Sequence, residues 1–157
     1  MGFIPKDAKW YLAEVVMLIT VEGDRRNVVH LNSFLVRADS AQEAFKKSLR
    51  LGKGEETSFE NSQDRRVLIR FKSLHDLNVI YDKLKDGAEL TFSEMIGMTD
   101  KKIKRLVRPK SELAVFAPIS RSRGPDYGSK EIREKVYERF PHLRPAGGTS
   151  PKAVKGR

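Results

Sequence analysis

Residues 10–38 read WYLAEVVMLITVEGDRRNVVHLNSFLVRA. Two segments, 10–22 and 28–38, are rich in β-branched and aromatic residues. They flank the turn formers Gly23, Asp24, Arg25, Arg26 and Asn27, and this predicts a long β-hairpin. Odd positions of the first segment (Tyr11, Ala13, Val15, Met17, Ile19, Val21) form an apolar face. Even positions (Trp10, Leu12, Glu14, Val16, Leu18, Thr20) are mostly apolar too, as in a central strand with both faces at least partly covered. A five-residue loop centred on Arg25 would set Glu22 opposite Val28, Val16 opposite Phe34 and Leu12 opposite Ala38. Odd residues then meet odd ones.

Outward from the hairpin, Ser40 and Glu43 carry the reciprocal cap signature of a helix start. Ala41, Ala44, Phe45 and Leu49 follow at helical spacing, and Gly52 closes the segment. Residues 53–64 are polar and turn-like. In 65–74 the pattern alternates again, with Val67, Ile69 and Phe71 against Arg66, Arg70 and Lys72. Residues 77–84 are ambiguous between helix and strand. A turn at Asp86-Gly87 leads to an expected strand over 88–96. Thr99 can cap a short helix with Ile103, Leu106 and Val107 inward, and a last strand is expected over 112–117. The fold class is α+β: a two-layer domain with a largely antiparallel sheet beginning with a long hairpin, and helices on one face.

The chain of 157 residues carries a net charge of +10 and no cysteine. Disulfide frameworks, thiolate zinc sites and cysteine nucleophiles are therefore excluded, which is compatible with a reducing cytoplasm. The charge is uneven: residues 120–157 hold ten basic and four acidic side chains against 21 and 17 in residues 1–119. Domain organisation follows as one domain over 1–119 and a basic, Gly/Pro-rich, largely mobile tail over 120–157. Within the tail, Ile132, Val136 and Phe140 recur at helical spacing between Ser129 and Pro141, so 129–140 can form a short helix that must dock, bind a partner or flicker. The apolar run 12–21 contains Glu14 and is far short of the roughly 20 residues of a spanning helix, so no membrane association and a cytoplasmic location are expected.

Tests for chemistry mostly fail. The pair Gly52 and Gly54 follows a helix, so it is not a phosphate-cradling loop. His30, His75 and His142 are scattered and match no metal spacing. No nucleophile elbow is present. Under the inferred register Glu14 and His30 would lie roughly 20 Å apart along the sheet, too far to share a proton. Glu14 is expected to pair with Arg70 or Lys72, since a buried acid survives by pairing. No cofactor and no metal are expected, and catalysis is less favoured than binding.

Two surfaces remain. One is the mixed sheet face around Glu14, His30, Asn32, Arg70 and Lys72, where a protein partner or a second copy would dock; this is the leading reading, a non-catalytic interaction module. The other is the run Lys101, Lys102, Lys104, Arg105, Arg108 and Lys110, with no acid among them, which together with the tail could contact nucleic-acid phosphates. That alternative lacks a base-reading motif and interleaved aromatics. A third reading, a small enzyme with a carboxylate and His75, needs a pocket in which Asp76 or another acid converges on that histidine.

Several separated segments, in order, resemble a bacterial family catalogued as domain of unknown function 4288. They are Trp10-Tyr11-Leu12-Ala13-Glu14, the run from Val21 to Asn32, the run from Arg37 to Ala44, Asp76-Leu77-Asn78-Val79-Ile80-Tyr81, and the run from Pro109 to Phe116. The resemblance spans residues 10–118 and implies a bacterial, cytoplasmic protein. It supplies no activity, cofactor or catalytic residue.

Overall fold

The computed structural model describes residues 3–118 and 123–145. The Gly/Pro-rich stretch expected over 146–151 and the serines Ser120 and Ser122 lie outside them. Four strands, β1 (Trp10–Val21), β2 (Val28–Arg37), β3 (Thr57–Glu60) and β4 (Arg66–Val79), form one antiparallel sheet in the order β2-β1-β4-β3. The α+β class and the opening hairpin are as expected.

The hairpin register differs from the expected one. Trp10 stands opposite Arg37, Glu14 opposite Ser33, Met17 opposite His30 and Ile19 opposite Val28. Odd residues of β1 therefore meet even residues of β2. The cause lies at the turn, where Asp24 N–H donates to the Val21 oxygen and Gly23 takes a φ of +75°. The Asp24 carboxylate then accepts the Arg26 N–H and guanidinium. Meanwhile Thr20 and Val21 continue pairing with Leu68 and Val67 of β4, so β1 outruns β2 at this end.

The odd face of β1 is the core face. Tyr11, Ala13, Val36, Ala38 and Ala44 pack together at one end, with Phe34, Leu77 and Val79 around them. Ile19, Val21 and Val67 pack at the other, joined by Val28, Phe59, Ile69 and Tyr127. Helix α1 (Ala41–Gly54) lies on this face and buries Ala44, Ser48 and Gly52. Its start is the expected reciprocal cap: Glu43 N–H donates to Ser40 Oγ, and the Glu43 carboxylate accepts the Asp39 N–H. Gly52 admits the Phe71 ring so closely that a Cβ there would stand 2.3 Å from it.

Elsewhere the sequence reading is corrected. β3 falls in the stretch read as turn-like, and β4 runs through to Val79. Residues 88–96 form no strand, and in place of the strand expected over 112–117 a 3-10 turn (Lys110–Glu112) is followed by a turn in which the Phe116 and Ala117 N–H groups donate to the Leu113 oxygen. Helix α2 (Asp100–Leu106) forms with Thr99 as its cap, but none of its residues is buried. Ile103, Leu106 and Val107 are exposed where an inward face was expected.

Helix α3 (Lys130–Arg139) is capped by Ser129 and its lead-in is docked. Pro125 is buried, and the Asn61 side-chain amide donates 2.7 Å to the Asp126 backbone oxygen. Ser62 and Arg133 both donate to the Asp126 carboxylate, and Lys130 pairs with Asp64. Asn61 in turn accepts the N–H groups of Gln63 and Arg65. The lead-in is docked, whereas the helix itself buries none of its residues and leaves Ile132, Val136 and Phe140 exposed.

Candidate functional site: an open sheet face and its acidic end

With α1 and residues 125–127 on the core face, the even face of β1 carries no helix of the described residues. Side chains opposite one another in an antiparallel pair share a face. This face therefore collects Leu12, Val16 and Leu18 of β1, Val29, Leu31 and Leu35 of β2, and Leu68 of β4. Val29 and Leu31 are each 54% exposed. A group of large aliphatic side chains on one exposed sheet face is the usual signature of an association surface.

The register sorts the expected patch residues into two sets. Glu14 and Arg70 are on the open face, but Arg70 stands opposite Leu18, about 13 Å along the strand from Glu14. The expected ion pair is not formed. Glu14 instead faces Asp76 on β4 and makes no ion pair among the described residues. His30 and Asn32 stand opposite Met17 and Val15, on the core face. The His30 ring meets Tyr127 edge-on at 5.5 Å, which gives it a packing role. Lys72 and His75 fall at two register irregularities of β4, where the strand holds one residue more than β1.

Around Glu14 the open face ends in a recess of about 340 Å³. Glu14, His75, Asp76 and Asn78 line it from the sheet. Asp82, Glu89, Leu90 and Phe92 close it from the connection after β4. That connection is folded back by the turn at Gly87 (φ +81°) and by Glu89 N–H donating to the Asp82 carboxylate at 3.0 Å. Four carboxylates thus gather at one end of the face. Asp82 and Glu89 were not singled out in the sequence; the Asp86-Gly87 turn was the signal that could have placed them.

The recess supplies the concavity that a carboxylate/His centre requires. Asp76, however, accepts the Asn78 side-chain amide and the Leu77 N–H, which together hold its carboxyl below the usual range. It is a fixed anion at neutral pH, and a general acid needs the opposite displacement.

The basic run is fully exposed. Lys101, Lys102, Lys104 and Arg105 ride on α2, Arg108 and Lys110 follow it, and none of the six pairs with an acid among the described residues. Lys110 lies 4.8 Å over the Phe116 ring. Four of the tail's described cations are differently placed: Lys130, Arg133, Lys135 and Arg144 each hold an acid.

A family of proteins defined as a domain of unknown function, DUF4288, matches residues 10–92. The chain belongs to the DUF4288 family. The matched span takes in the whole DUF4288 sheet, α1 and the acidic recess, and it ends at Phe92, short of the 109–116 segment on which part of the resemblance rested. Neither a curated protein nor a solved structure matches the chain. No described helix of this DUF4288 member is long and apolar enough to cross a membrane.

Proposed function

We propose that this chain is a non-catalytic interaction module whose open sheet face binds a protein surface. The observation that carries the reading is the set Val16, Leu18, Val29, Leu31 and Leu35 on a sheet face that no described helix covers, bordered by Glu14, Arg70 and Asp76. An apolar centre with a charged rim is the anatomy of a protein interface. A polar, solvated face would be expected if this side of the sheet met only water.

A photo-cross-linking amino acid placed at Leu31, and separately at Lys46 on the outer side of α1, tests this in cells producing the full chain. Adducts of defined mass at position 31 that are absent at position 46 support the reading. Equal labelling at both positions, or none at either, overturns it.

A further inference from the structure

Residues 92–118 follow the recess as an arm, none of it buried, whose large apolar side chains stand exposed. Ile96 is 87% exposed, Val107 74% and Val115 86%, and Phe92, Leu106 and Phe116 are exposed with them. Single exposed apolar side chains are ordinary, but these six within one short arm that buries none of its residues are not. The same arm holds the six unpaired cations of residues 101–110. The open sheet face shows a matching pattern: aliphatic over Val16, Leu18, Val29, Leu31 and Leu35, with Arg37 and Arg70 at its borders, and acidic at the end where Glu14, Asp76, Asp82 and Glu89 converge. Apolar matches apolar, and plus matches minus.

We infer that the arm's partner is a second copy of this chain. In this arrangement each arm lies on the other copy's open face, with the α2 cations toward that copy's acidic recess. The inference rests on the interaction reading above and names the occupant of that face. A two-fold axis satisfies it, because each chain offers one arm and one face and both contacts form at once. The arm's root supports the geometry. Leu90 and Phe92 already line the recess, so the arm departs from the very face that it would cover on its neighbour. Charge at the contact sets direction and partner choice, and the aliphatic side chains supply the burial.

The absence of native cysteine makes the test clean. Two full-length single-thiol chains, Val107→Cys and Ser33→Cys, are mixed and oxidised, and their masses in solution are read by sedimentation beforehand. The expected result is a wild-type dimer and a 107–33 cross-link between different chains. Arm variant Leu106→Glu and face variant Leu31→Lys should each raise the dimer dissociation constant by about tenfold or more. Because one intact arm and one intact face remain, mixing the two variants should restore part of the association. A charge-reversed arm, with Lys101, Lys104 and Arg105 changed to Glu, guards against misfolding as the cause, since all three side chains lie on the surface. It should also weaken the dimer.

A dimer that ignores every arm variant and cross-links 33 to 33 overturns the arm assignment and leaves the sheet-face reading standing. So does a monomer in which a double-thiol chain closes 107 onto its own 33. A monomer with no cross-link of either kind, on which Leu31→Lys also changes no adduct at the face, overturns both. Binding of a labelled DNA duplex that persists at near-physiological salt, and is lost in the charge-reversed arm, would assign those cations to nucleic acid instead.

Discussion

The Asn61 side chain, wholly buried, donates its amide to the backbone oxygen of Asp126 across 65 residues of sequence, at 2.7 Å. Its carbonyl accepts two N–H groups of its own turn, so one side chain both shapes the β3–β4 turn and receives the segment that leads into α3.

Replacing that side chain removes the acceptor for Gln63 and Arg65 and the donor for Asp126 together. Asn61→Ala should destabilise the chain by about 1–3 kcal/mol, the cost of leaving buried polar groups unpaired. Urea unfolding measures the loss. Hydrogen exchange should show α3 amides losing protection before those of β1, and equal loss across the chain would contradict a local docking role.

The docked segment should also respond to acid. Partial burial of Asp126 works to raise its carboxyl, but the Ser62 hydroxyl, the Gly128 N–H and Arg133 outweigh it and hold it below its ordinary 3.8. A folded value below the unfolded one means that the stabilisation is complete above the ordinary value and is lost as pH falls through the folded one. Protection of the α3 amides should therefore drop in acid, and Asp126→Asn should remove that pH dependence. A profile unchanged in the Asn variant would place the sensitive group elsewhere.

Gly52→Ala places a methyl in a helix, where alanine is ordinarily preferred, yet the added carbon would sit against the Phe71 ring. The ring or the helix must shift, and overpacking of this kind costs about 1–3 kcal/mol. The expected result is a lower midpoint in urea, partly recovered in Gly52→Ala/Phe71→Leu. A more stable single variant would show that helix propensity prevails over the contact.

At concentrations where the chain is monomeric, Leu31→Lys should leave stability within about 0.5 kcal/mol of wild type, because the side chain is half in water already. Its effect belongs to association alone, read as a shift in sedimentation. A large drop in the unfolding midpoint would mean that Leu31 is held within the fold.

The hairpin, the capped starts of all three helices and the alternation of β4 were legible because each has a local cause: period-two apolarity or a side chain reaching an N–H three residues on. Register was not. β2 carries large apolar residues at both parities, Val28, Phe34 and Val36 against Val29, Leu31 and Leu35, so its pattern does not say which set faces the core. That ambiguity put His30 and Asn32 on the same face as Glu14, where the structure separates them. β3 was missed because only Phe59 of its four residues points at the core cluster. The irregularities at Lys72 and His75 leave no compositional mark, and they decide that Asp76 faces Glu14. In the short helix after Thr99 the spacing of Ile103, Leu106 and Val107 was read as inward packing, whereas all three are exposed.

The arm lies within a longer stretch of chain that is tied to the body at Ile80, by the backbone bond to Trp10, and at Asp126, by Asn61. It is a handle and not a loose strand, and the closure of that loop is already made by the body. Lengthening a closed loop is inexpensive, about 0.6 kcal/mol for each doubling. The arm can therefore gain or lose residues with little effect on the sheet, so its reach is free to change while the fold beneath it stays the same.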